Sequence, residues 1–134
     1  MRLGVVAIVA GVLIASSALS IRLDAGTQSS LDPLVVAPDH YRLEFENEWV
    51  RVIRATMDPR ETSVMHQHGA EAVIIDLTDQ DMHQVMADGT TSARSTFKAG
   101  SARWSTNAGV PHRDVNLSEK PLELLRIEIK AASR

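Results

Sequence analysis

Through most of the chain, apolar and polar residues alternate in short runs separated by turn residues. Tyr41-Arg42-Leu43-Glu44-Phe45 has the period-two pattern of a half-buried strand. Residues 49–57 place Val50, Val52 and Ile53 among Arg51 and Arg54, and residues 72–77 form an apolar run; both predict strands. Residues 63–68 between them are expected to be extended. Residues 82–86 and 91–97 flank Ala87-Asp88-Gly89-Thr90, whose Asp-Gly pair fits a tight hairpin turn. Three further strands are predicted over 103–105, 111–117 and 122–129. The last alternates Leu122, Leu124, Arg126 and Glu128 against Leu125, Ile127 and Ile129. Pro33 and Pro38 bracket Leu34-Val35-Val36, a short extended piece suited to a sheet edge. Strands recur at intervals of roughly eight to twelve residues with turn chemistry between them, the pattern of an all-β sandwich or barrel.

The first twenty residues break this pattern. Arg2 is followed by an uncharged apolar run over 3–18, and Ala18-Leu19-Ser20 has the small-x-small form that a signal peptidase accepts. A cleaved signal peptide over 1–20 is expected ahead of an uncleaved membrane anchor, with Leu23-Asp24-Ala25 a second cleavage choice. The protein is then periplasmic or secreted, and it touches a membrane only through residues 1–20 if they are retained. Residues 21–38 are read as a linker, 39–130 as one β-barrel domain and 131–134 as a tail, consistent with a chain of 134 residues. The net charge of −3, with no run of Lys and Arg, argues against nucleic acid as a partner. Cysteine is absent, which excludes disulfides, thiolate metal sites and cysteine nucleophiles.

Candidate chemistry centres on Met65-His66-Gln67-His68. In an extended segment, His66 and His68 point to one face with Cα atoms roughly 6–7 Å apart, close enough for both imidazoles to reach one metal ion. Two ligands hold a divalent ion poorly, and His112, on a strand expected to fold back, is the candidate third. Three neutral nitrogen donors suit one divalent transition metal among iron, zinc, copper, nickel, cobalt and manganese, and they leave positions open for water or substrate. Val50, Val73, Ile75 and Trp104 are expected to line a dry interior, with Met65, Met82 and Met86 as packing residues. Of Arg51, Arg54 and Arg103, at least two are expected to face solvent. No Gly-x-Ser-x-Gly elbow or glycine-rich phosphate loop occurs.

These residues resemble the motifs of small single-domain cupins. His66 and His68 match the His-x-His of the first cupin motif, while Arg60, Val73 and Gln80 stand where it has glycine, glutamate and glycine. His112 and Asn116 match the His-x-x-x-Asn that ends the second motif, and Gly100 matches its opening. The resemblance covers about residues 39–130 and implies a cupin-type jelly-roll barrel with a three-histidine metal site. It also implies that Val73 replaces a usual fourth ligand. Glu71, on the face of Val73, is the candidate catalytic carboxylate, either at the metal or as a base towards bound water. The resemblance implies a metal-dependent enzyme of dioxygenase, isomerase, decarboxylase or lyase type acting on a small oxygenated molecule. The alternative is a non-catalytic exported protein that binds a metal or small ligand. Cupins commonly dimerise through edge strands, so a homodimer is expected.

Overall fold

The computed structural model describes residues 30–131. The expected export segment, the linker as far as residue 29 and the last three residues of the tail lie outside the described residues. Among those described, no helix is long and apolar enough to cross a membrane.

The first element corrects the extended expectation for 34–36: it is a short helix, α1 (Pro33–Val36). Asp32 caps it by accepting a 2.9 Å hydrogen bond from the Leu34 amide, and Pro33 occupies the first turn, where its missing N–H costs nothing. This turn belongs to the packed body, because Leu34, Val36 and Ala37 sit against Tyr41, Ile53 and Ala55. Arg51 clamps the cap by a two-pronged ion pair to Asp32 at 2.6 and 2.7 Å.

Eight strands follow: β1 (Tyr41–Glu46), β2 (Val50–Met57), β3 (Ala72–Asp76), β4 (Gln80–Met86), β5 (Ser95–Phe97), β6 (Ala102–Ser105), β7 (His112–Asn116) and β8 (Leu122–Ile129). They pair antiparallel throughout, as a five-stranded sheet in the order β1-β2-β8-β3-β6 and a three-stranded sheet in the order β5-β4-β7. The all-β jelly-roll expectation holds. The strand expected over 91–97 shortens to β5, and residues 63–68 are not a strand. That stretch crosses to β7 through single bridges, Thr62 with Val115 and His66 with His112.

Register decides which residues face the interior. Opposed residues share a face of a sheet, and successive residues alternate. In the large sheet one inner rank reads Ile53, Arg126, Ile74, Arg103, and the next Arg51, Glu128, Ala72, Ser105. The outer ranks hold Val52, Ile127, Val73, Trp104 and, on β1, Phe45. Phe45 and Trp104 are 52% and 53% exposed, whereas Arg126 and Glu128 are only 4% and 3% exposed. The expected lining of Val50, Val73 and Ile75 is therefore corrected: those side chains belong to the outer parity. Trp104 shares that parity by register, yet it is among the residues that line the interior pocket, as expected. The expectation for the arginines is corrected too, since Arg51 and Arg103 lie on inner ranks and only Arg54 lies on the outer one.

The end of β7 is tied down by Asn116, which is fully buried. Its amide donates to the carbonyls of Asp58 and Lys120, both at 2.9 Å, and its oxygen accepts from the Ser118 amide at 3.0 Å. Two loops are joined to one strand by a single side chain. Asn116→Ala leaves these groups without a partner and is expected to cost about 1–3 kcal/mol, read as a lower denaturation midpoint with metal binding retained.

Candidate metal centre

His66, His68 and His112 are all buried, and their ligand nitrogens lie within 4.8 Å of one another. The Ser63–His68 segment supplies two of them at alternate positions of one face, with ring centroids 5.0 Å apart. β7 supplies the third. The His66–His112 bridge, with both backbone hydrogen bonds at 2.9 Å, puts those two rings face to edge at 4.5 Å between centroids.

Each ring is aimed by a local contact. The Nδ1 of His66 lies 2.9 Å from the Val64 carbonyl, and that of His112 lies 2.7 Å from the Val110 carbonyl. A carbonyl can only accept, so each Nδ1 carries the proton and each Nε2 of the neutral ring presents a lone pair, which for His112 the Asn107 amide meets at 3.4 Å. His68 is oriented differently. Its Nδ1 lies 3.3 Å from Glu128 Oε1, outside good hydrogen-bond alignment. Burial pushes the pKa of His66 below the ordinary histidine value, and burial followed by the Arg126 charge pushes that of His68 well below it. These two rings are held neutral, the form that binds a metal.

The polar groups around the three rings do not balance on their own. The Tyr41 hydroxyl is 3.0 Å from Nε2 of His66 and 2.9 Å from Oδ2 of Asp114. It has one proton for two acceptors. A cation satisfies both the nitrogen lone pair and the carboxylate, so the residues present fit a divalent ion. Burial and the Asp114 charge raise the Tyr41 pKa well above its usual value, so the phenol keeps its proton. Burial pushes the Asp114 carboxyl up, but His112 and His66 more than offset this and hold it below its ordinary value.

A pocket of about 330 Å³ opens beside His68 and His112. Ile74, Phe97 and Leu124 give it apolar walls, and Gln84, Asn107 and Arg126 bring polar groups.

The double-sheet fold has counterparts. No family model matches the sequence, and no curated protein matches it. Among solved structures, a cupin domain protein from Bordetella pertussis Tohama I aligns over 68% of this chain and 92% of its own, with 24% identity and a TM-score of 0.60. The fold is that of a cupin. A similar double-stranded β-helix occurs in an RmlC-like cupin family protein of Methanocaldococcus jannaschii, at 15% identity and a TM-score of 0.52 over 66% of this chain and 77% of that one. A conserved protein from Klebsiella pneumoniae with a double-stranded β-helix domain aligns over 66% of this chain and 74% of its own, at 14% identity and a TM-score of 0.50. Such likenesses carry the fold; activity has to be argued from the site.

Within this cupin fold, the structure brings together the three histidines singled out in the sequence. It does not bring Glu71 to them: Glu71 is exposed just ahead of β3 and is not among the residues lining the pocket. Val73 faces outward, and the inward neighbour, Ala72, has no donor to offer. The carboxylates that do face the rings are Asp114 and Glu128, neither of them anticipated. Asp114 could have been found from its spacing, because His112-Arg113-Asp114 repeats the one-residue gap of His66-Gln67-His68. Glu128 carried no such signal. Its inward position follows from the β8 register alone.

Proposed function

We propose that this protein is a metal-dependent cupin whose His66, His68 and His112 hold one divalent transition metal, and that it acts on a small oxygenated molecule taken into the adjoining pocket. The single observation that carries this reading is the pair of Nε2 lone pairs, on His66 and His112, converging in a buried space where the Tyr41 hydroxyl has one proton for His66 and Asp114 and the Asn107 amide reaches His112 only at 3.4 Å. Three nitrogen donors suit iron, zinc, copper, nickel, cobalt or manganese, with positions left for exogenous ligands. A bound ion would supply Lewis acidity towards a substrate oxygen or a site for dioxygen, which covers dioxygenase, isomerase, decarboxylase and lyase chemistry. The chain's own groups divide the remaining work. Ile74, Phe97 and Leu124 exclude water, while Arg126, Asn107 and Gln84 offer hydrogen bonds that orient oxygen atoms of a ligand. The reading includes export, which rests on Arg2 and the apolar run over 3–18.

Elemental analysis of untagged protein tests the site directly. One equivalent of a transition metal is expected in the parent protein, and only trace metal in the His66→Ala/His112→Ala variant. Equal trace metal in both would sink the reading. Turnover of small hydroxy- and oxo-compounds, screened with the identified metal, then separates an enzyme from a binder.

A further inference from the structure

Asp114 follows His112 by two residues on β7, so both side chains point to the inner face. It is the one carboxylate among the residues lining the pocket. Its Oδ2 lies 3.6 Å from Nε2 of His66, and its Oδ1 lies 3.9 Å from Nε2 of His112. Two donors that share an ion through bonds of about 2.1 Å stand roughly 3.0–4.2 Å apart, according to the angle between them. Each separation falls in that range, one through each oxygen of the carboxylate. The carboxylate is also braced from outside as ligating carboxylates are, with the Tyr41 hydroxyl on Oδ2 at 2.9 Å and the Gln84 amide on Oδ1 at 2.9 Å. Glu128 is differently placed. It meets His68 on the Nδ1 side and is engaged by Arg126 at 3.1 Å and by Arg51 at 3.7 Å.

We propose that Asp114 supplies a fourth protein donor, so that the centre is a three-histidine, one-aspartate set drawn from residues 66–68 and 112–114. This deepens the metal-site reading above and rests on it. The expected carboxylate of the first cupin motif is missing at Ala72 and Val73, and Asp114 provides one from the opposite sheet. In the metal-free protein the Tyr41 hydroxyl bridges His66 and Asp114, and an ion taken up between them displaces it from Nε2 of His66. Tyr41 is the chain's only tyrosine, so its ring reports on the site without ambiguity.

The test uses the full chain with cobalt(II) or zinc(II) as the sole added ligand. Cobalt(II) is titrated into the parent protein, Asp114→Asn and Gln84→Ala while the visible ligand-field bands are recorded. Asp114→Asn is expected to move the bands and to weaken binding by more than the roughly 10- to 100-fold that loss of a bracing partner costs. Gln84→Ala, which removes a brace only, is expected to weaken binding with the bands in place. Parent-like bands and affinity in Asp114→Asn would overturn the assignment while leaving the histidine site standing. Failure of the parent protein to take up cobalt(II) would overturn both. An independent reading avoids variants altogether: with ring-labelled tyrosine, zinc(II) is expected to shift the single Tyr41 resonance set of the parent protein. An unmoved set on stoichiometric binding contradicts a donor set that includes Asp114.

Discussion

Replacing Arg126 with methionine is expected to lower folding stability by about 3–5 kcal/mol, the range for breaking a buried ion pair on one side. The guanidinium is almost fully enclosed. It donates to Glu128 at 3.1 Å, to the Ala70 carbonyl at 2.8 Å and to the Ser105 hydroxyl at 3.2 Å. Without it, Glu128 keeps only the 3.7 Å contact with Arg51 and the neutral face of His68, too little to offset the desolvation of a carboxylate. The double variant Arg126→Met/Glu128→Leu removes both charges and fills the space, so it should recover most of the loss. Metal affinity should not recover with it, because the carboxylate that stands 3.3 Å from Nδ1 of His68 is gone. Denaturant unfolding of both singles and the double checks this as a mutant cycle. Additive losses would show that the two charges do not depend on each other.

The second large effect links metal to acid. A divalent ion present at about a thousand times its dissociation constant should stabilise the fold by about 4 kcal/mol, and that gain should vanish in acid. The sign follows from the histidines. His66 and His68 have pKa values depressed by burial, so below about pH 6.5 the unfolded chain takes up protons that the folded chain refuses. Stability of the metal-free protein therefore falls with pH below that point, by up to about 1.4 kcal/mol per pH unit for each histidine, until pH reaches the folded-state values. Bound metal steepens the fall, since its ligands must be deprotonated. Thermal unfolding with chelator and with zinc, from neutral pH down to about pH 5, should give curves that converge on acidification. Stability that rises in acid would contradict neutral, buried rings.

Much of the fold was legible because strand and turn chemistry is local. Period-two alternation located β1, β-branched residues located β2, and Asp88-Gly89 marked the tight turn after β4. The histidine trio was legible because a His-x-His pair on one face and a third imidazole 44 residues further on, in a His-x-x-x-Asn context, together match the two cupin motifs. Which face of each strand points inward was not legible. Hydropathy puts Leu125, Ile127 and Ile129 inside β8, yet Arg126 and Glu128 are inside, because they find one another and the rims of the site there. The same inversion put Val73 in the expected lining and removed Glu71 from the chemistry. Alternation is symmetric between its two faces, and a charged interior reverses the usual way of choosing between them. The helical turn at Pro33–Val36 was missed because its cap, Asp32, was read as part of a linker when Arg51 was not known to reach it.

The two carbonyls that aim His66 and His112 lie only two positions upstream of their rings, at Val64 and Val110. Ring direction is thus written into two tripeptides, whereas the meeting of the rings depends on the sheets. A cut and rejoining of the chain within the loop at residues 98–100 would leave both tripeptides whole, so a circularly permuted protein should present its imidazoles at the same angles once the two sheets have closed.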